Sequence, residues 1–386
     1  MDRLFIRNEE DEKWVSLARE LADEFREQAK VYDETREFPF DHYHRLIDSG
    51  YTRLTVPKEY GGQAISLYQF LLIQETLAEG DQATALGIGW HLGIIMDLAL
   101  KREWEETTFE KLCKAVIEKG AIVNRAATEP QTGSPARGGK PQTTARKTAE
   151  GWVLNGHKTF TTLAPIANPL IVNASVEGTD EVAGFWIERG TEGVEIHPTW
   201  NTLGMRATRS DDVVLENVKL PFEAKVDTTA QPKSKLPAGW LLHIPACYIG
   251  IARAARRDVI QFAETYQPNS LPHPIKEVPH VRDKIAQIEL KLLQAETMLY
   301  QVAETWDRFP EKRAEMGAVL AATKTTATNA AVEIVDIAMR IVGGQSIFES
   351  HPFERYYRDV RAGLHNPPSD DGTMAMLART AFQKDR

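Results

Sequence analysis

Between residues 121 and 222 this chain stops repeating at helical spacing and begins to alternate. The runs IVNRAAT, WVLNGHKTFTT, LIVNASV, VAGFWIERG and VVLENVKLP are rich in β-branched and aromatic residues, and Gly, Asn and Pro separate them. Period-two runs between such turn residues read as strands. The flanking sequence is helical on both sides. The chain is therefore expected to be mostly α with a central β domain. The boundaries fall at 1–122 for an N-terminal helical domain, 123–228 for the β domain and 229–386 for a C-terminal helical domain.

The helical parts carry their own detail. Residues 8–32 repeat Trp14, Leu17, Leu21 and Phe25 on one face. His42 and His44 follow in a short helix; two residues apart they do not share a face, so they read as surface histidines and not as a metal pair. The segment ALGIGWHLGIIMDLAL is almost uncharged and reads as buried, with His91 inside it as either a satisfied core residue or part of a pocket wall. From Trp240 onward three long helical segments follow. The last, 313–342, is rich in Ala and Thr, which suits close packing at a subunit interface, and it ends at Gly343-Gly344, a natural C-cap.

Composition narrows the function. A formal charge of −9 argues against broad nucleic-acid binding. No apolar run approaches the ~20 residues that span a bilayer. The start, MDRLFIRNEEDEK, is too charged for a secretory signal. Two cysteines, Cys113 and Cys247, make neither a disulfide framework nor a metal site, so a cytoplasmic location is the default expectation.

The chemistry concentrates in residues 126–162. AATEPQTGSPARGG breaks at Pro130 and turns at Gly133-Ser134, where exposed N–H groups and hydroxyls can hold a phosphate or the polar edge of a ring. GWVLNGHKTFTT reads as a strand entering an Asn155-Gly156 hairpin turn, then a strand with hydroxyls on both sides of Phe160. The residues alone fit an ordinary surface hairpin equally well. Taken together, Thr-Glu-Pro-x-x-Gly-Ser followed by Leu-Asn-Gly-x-Lys-x-aromatic-x-Thr resembles the flavin-binding sheet of the acyl-CoA dehydrogenase family. The resemblance extends to TVPKEYGG, to TLGMRATRSDDVVLENVKLP with Arg206, Thr208 and Ser210, and to IVGGQSIFESHPFERYYRDVR. It implies a C-terminal four-helix bundle and bound FAD, with FMN as the alternative. It places Thr128, Ser134, Phe160 and Thr162 on the flavin ring, with Gly343, Gly344 and Thr373 as further flavin contacts. It implies a homotetramer, or a homodimer of the same halves, acting on a small molecule that in the family is an acyl-CoA.

A dehydrogenase of this kind needs a carboxylate in a dry pocket to remove the proton α to the thioester. The family keeps a Glu in one of two places. One corresponds to Trp240; the other is shortly after Arg358-Asp359, where Asp371-Gly372-Thr373 stands for Glu-Gly-Thr. Asp371 is the expected base of a dehydrogenase reading. Leu364-His365-Asn366-Pro367 resembles instead the flavin-dependent monooxygenases that share this fold, and implies His365 as the catalytic group with His91 opposite. The family Arg that grips the FAD diphosphate is replaced by Pro268, which weakens the case for tightly held FAD. Electrons would pass to an unidentified acceptor or come from a flavin reductase. A non-catalytic flavin- or acyl-binding protein is the third reading.

Overall fold

A computed structural model of the chain describes residues 4–133, 138–228, 234 and 236–383. Five helices come first: α1 (Glu9–Thr35), α2 (Phe40–Asp48), α3 (Leu67–Ala78), α4 (Gln82–Lys101) and α5 (Glu106–Lys119). The start of α1 follows from local chemistry. The Asn8 side chain accepts from the Asp11 amide, and four acidic residues in the first turn face the positive end of the helix dipole. Ser66 and Gln69 form a reciprocal capping box on α3. By length and composition α4 could cross a bilayer, which the run-length reading had not anticipated, but it is a core helix and most of it is buried inside the fold.

His42 is not a surface residue. Its Nδ1 lies 2.8 Å from Asp81 and its Nε2 3.1 Å from Gln28, and the ring stacks on Phe25, so it ties α2 to the N-cap of α4. His44 is exposed.

Eight strands follow: β1 (Asn124–Ala126), β2 (Thr144–Lys147), β3 (Trp152–Lys158), β4 (Leu170–Val176), β5 (Val182–Ile187), β6 (Val194–His197), β7 (Asp212–Leu220) and β8 (Lys225–Thr228). They form one sheet in the order β6-β7-β3-β2-β4-β5-β8, with β1 joined in parallel to β4. The Asn155-Gly156 turn expected from sequence is absent. β3 runs straight through both residues and bulges there against β7. A Cβ on Gly156 would collide with Thr143, so the glycine serves close approach within the sheet and not a reversal.

The bundle consists of α6 (His243–Thr265), α7 (Pro279–Arg308) and α8 (Gly317–Val342), closed by α9 (Phe353–Val360) and α10 (Asp370–Gln383). The small residues of α8 are used within the chain. Ala321, Ala327, Ala331 and Ala338 are buried where α8 packs on α6 and α7. Gly343 does cap it, at φ 71°. Arg253 of α6 joins the domains: it bonds Glu79, the C-cap residue of α3, at 3.1 Å and Glu296 of α7 at 2.7 Å.

Candidate active site

The turn after β3 is held from three sides. Thr159 N–H donates to the Thr128 carbonyl, Thr161 N–H to Asp211 and Thr162 N–H to Phe160. These bonds keep Phe160 in the left-handed region at φ 53°, a conformation that aromatic residues rarely adopt. Its ring is thereby pushed outward, 62% exposed, and leans edge-on against Trp200.

Beside it runs a chain of hydroxyls. Thr208 Oγ1 donates to the Met205 carbonyl at 2.9 Å, which uses its proton. Ser210, 3.0 Å away, must then donate to Thr208, and Thr162, 2.8 Å from Ser210, must donate to Ser210. Thr162 therefore presents only lone pairs outward. An exposed aromatic face next to a hydroxyl acceptor fits a flat ring system with an N–H on its edge, so the residues present fit a flavin.

The Thr-Glu-Pro loop is anchored by a buried ion pair. Lys158 Nζ lies 2.6 Å from Glu129 Oε1, and Glu129 also accepts from the amides of Gln142 and Thr143 and from the Thr132 hydroxyl. Burial alone would raise the Glu129 pKa, but these donors hold it down at about 2. Among the described residues Lys158 has that one partner, and burial outweighs it, lowering the ammonium pKa. The pair is asymmetric because the carboxylate has four donors and the ammonium one acceptor. Sequence reasoning missed this pair, although both residues stood inside the quoted motifs. Thr128 is half-buried at the loop's edge; Ser134 lies outside the described residues.

α4 passes the end of this turn. A Cβ on Gly87 would sit 3.1 Å from Leu163 and clash with the Tyr43 hydroxyl. On one face of α4, His91 is a finished core residue: Nε2–H donates to the Thr52 carbonyl at 2.8 Å and Nδ1 accepts from Val123 N–H at 3.0 Å. Burial, only partly offset by the Thr52 bond, lowers its pKa to about 4. Both nitrogens are occupied, which corrects the expectation that His91 stands opposite His365 in the chemistry.

The other face of α4 carries Gly89 and Gly93, one turn apart. A Cβ at Gly93 would strike Trp240; one at Gly89 would strike His243 and Gln74. Trp240, the position at which the resemblance led to the expectation of a Glu, packs its ring on Gly93. It stacks on His243 with ring centres 5.7 Å apart and planes within 4°. Trp90 closes edge-on over both rings, and Phe70 stacks behind His243. Asp97 lies farther along α4; burial raises its pKa against an ion pair with Lys101 at 3.0 Å.

The C-terminal segment meets the sheet through Asp359, whose Oδ1 accepts from Met205 N–H at 2.5 Å. Burial, then repulsion from Asp33, raises this carboxyl to about 7. Gly363 lies against the Tyr248 ring, and the Tyr248 hydroxyl donates to Asn366 at 2.8 Å, which leaves the neighbouring His365 exposed. Asp371 is placed otherwise than expected. Ser369 starts α10 by accepting from Gly372 and Thr373, so Asp371 falls in the exposed first turn. Thr373 turns inward instead, buried, and accepts from Thr325 at 3.0 Å. Gly343 and Gly344 are exposed, followed by Ile347 at 71% and Phe348 at 61% exposure.

Three family models match the chain in order: acyl-CoA dehydrogenase, N-terminal domain over residues 8–114, middle domain over 124–218 and C-terminal domain over 242–364. A Bacillus subtilis (strain 168) protein named "Putative acyl-CoA dehydrogenase YdbM" is 46% identical over 98% of this chain and 99% of its own length. Among solved structures, butyryl-CoA dehydrogenase from Megasphaera elsdenii superposes with a TM-score of 0.88 at 20% identity, covering 97% of this chain and 99% of that one. Methanesulfinate monooxygenase MsuC from Pseudomonas fluorescens superposes with a TM-score of 0.85 at 22% identity, covering 96% and 97%.

Proposed function

The chain belongs to the acyl-CoA dehydrogenase family, and we propose that within it the protein is a monooxygenase using reduced flavin, FMN or weakly held FAD. One observation carries the reading: neither expected place of the carboxylate base offers one in a dry pocket. Trp240 occupies the first, pressed on Gly93, and Asp371 stands in solvent on α10. A base that must strip a weakly acidic C–H needs the raised pKa that a dry pocket supplies. The structural likeness to a monooxygenase is one of fold alone and is consistent with this reading.

When bound, reduced flavin would supply the electrons that activate oxygen. The chain's own residues do the rest. Phe160 carries the ring face, and Thr162, with its proton committed to Ser210, accepts from an N–H on the ring edge, the form that a reduced flavin presents. Trp90 and Trp240 keep water from the α4–α6 side. His365, exposed next to the Tyr248–Asn366 hydrogen bond, is the imidazole we assign to hold or pass a proton to the oxygen or the substrate. Pro268 supplies no cation for a diphosphate, which favours FMN or loose FAD. The exposed Gly343-Gly344 segment with Ile347 and Phe348 is the face we assign to a second copy of the chain.

The second reading is an acyl-CoA dehydrogenase with Asp371 as base, favoured by the name of the Bacillus relative. Anaerobic mixing of the flavin-loaded protein with a panel of acyl-CoAs separates the two. No loss of oxidised-flavin absorbance is expected, while oxygen-dependent product should form with an added flavin reductase and collapse in His365→Ala. Bleaching by any acyl-CoA, abolished in Asp371→Asn, would sink the monooxygenase reading.

A further inference from the structure

Met205 is the point on which the ring-facing groups of the β3 turn converge. Its carbonyl accepts from Thr208 Oγ1 at 2.9 Å and from the Trp200 indole N–H at 3.0 Å. The first bond starts the hydroxyl chain that ends at Thr162; the second holds the indole against which Phe160 leans. Met205 itself lies in the left-handed region, at φ 53°, where a side chain of its kind stays only when its neighbours impose it. Its own amide supplies one such constraint, donating to Asp359 Oδ1 at 2.5 Å. Gly204 lets the two segments approach, since a Cβ there would strike the Arg358 carbonyl. Arg358 makes a second tie, donating to the Leu203 carbonyl at 3.2 Å. The loop that organises Phe160 and Thr162 thus hangs on two consecutive residues of α9.

We propose that Asp359 is a positioning residue for the flavin ring: through the Met205 amide it holds Phe160 and Thr162 in place, and it slackens that hold when it takes up a proton. This rests on the flavin fit of the β3 turn and not on which reaction the flavin performs. An ionised carboxylate accepts an N–H about twice as strongly as a neutral oxygen does. Opposing groups act on that charge. Asp33 of α1 repels it, while Arg355 and Arg358 of α9 attract it. Arg206, from the sheet loop, faces Asp33 at 3.8 Å. Cys247 and Tyr248 of α6 lie close by, but burial pushes both of their pKa values well up, so they stay uncharged. Burial and Asp33 prevail, which brings the Asp359 carboxyl to about 7. The guanidinium tie to Leu203 does not titrate, so the loop stays docked on α9 and only the Met205 peptide gains freedom. Ring binding favours the ionised form. Affinity is therefore full above about 7 and falls as pH drops through it.

Fluorescence titration of riboflavin into the flavin-free full chain, from about pH 5.5 to about pH 9, tests this. Riboflavin has no phosphate, and its oxidised ring does not ionise in that range. Wild type should bind it about fivefold more weakly at the acid end, with the break near 7. Asp359→Asn keeps an oxygen for the Met205 amide but cannot ionise. The break should vanish, and affinity should stay at the wild-type acid level. Asp33→Asn removes the repulsion and leaves Arg358 freer to attract Asp359, so the break should persist at lower pH. A residue that only held the fold together would not move the break in this way. Wild-type affinity that does not change with pH overturns the proposal. So does a break that survives in Asp359→Asn, which would belong to a histidine, or one that stays in place in Asp33→Asn. Should Asp359→Asn not fold, the wild-type profile and Asp33→Asn decide it. Absence of riboflavin binding at every pH would remove the flavin reading and the proposal together, whereas binding without a break removes the proposal alone.

Discussion

The Glu129–Lys158 pair beside β3 and the His243–Gln74 pair between α4 and α6 are built on opposite rules. Glu129 is buried and over-supplied, with a cation, two amides and a hydroxyl on one carboxylate. His243 is equally buried, and neither of its ring nitrogens has a partner among the described residues. In the first region four donors hold the Glu129 carboxylate, and with it the Thr-Glu-Pro loop, against β3. In the second, polar capacity has been left open inside an aromatic seam. Buried polar groups are nearly always satisfied in folded proteins, so the two regions differ in how fully their polar atoms are used.

The comparison breaks most visibly at Lys158. Lys158→Met leaves the Glu129 carboxylate buried without its cation, and urea unfolding should show a loss of about 3–5 kcal/mol. The acid limb of stability should change too. Glu129 is depressed in the fold, so its contribution is complete above its ordinary value of 4.5 and is lost as pH falls through about 2. Lys158→Met should flatten that limb, and an unaltered acid profile would count against the pair as the anchor.

His91→Leu tests the same contrast on α4. It strands the Thr52 carbonyl and the Val123 amide, and should cost roughly 2–4 kcal/mol by the same measurement. A near-neutral result would mean that water replaces the ring.

The smallest effect should fall on the seam. His243→Phe removes atoms that have no partner, so stability should stay within about 1 kcal/mol of wild type. A loss comparable to that of His91→Leu would show that His243 is as structural as its neighbour.

Much of the fold could be read from periodicity. The Asn8 cap, the Trp14–Phe25 stripe and the Gly343 cap follow from local rules, and the order of helices, strands and helices from the change of repeat. Sequence failed where a residue's meaning depended on a partner far along the chain. Asn155-Gly156 looks like a turn to its neighbours, but β7 keeps it extended as a bulge. His42 looks exposed until Asp81, distant in sequence, arrives. His91 and His243 are indistinguishable as lone histidines in apolar helices, and only the third dimension gives one of them two bonds and the other none. One signal was present: Gly89 and Gly93 are four apart, hence on one face of a helix that has little other reason to be so bare. For the candidate site, Phe160 and Thr162 lay in a recognisable motif, whereas Asp371 depended on where α10 begins, which Ser369 decides locally.

Those two glycines also bear on how the protein could be redesigned. Any side chain added at 89 or 93 runs into His243 or Trp240, so α4 is a fixed template against which the seam is cast. A library that varies residues 240 and 243 together, with both glycines held, would measure how far those two rings can be repacked against the helix.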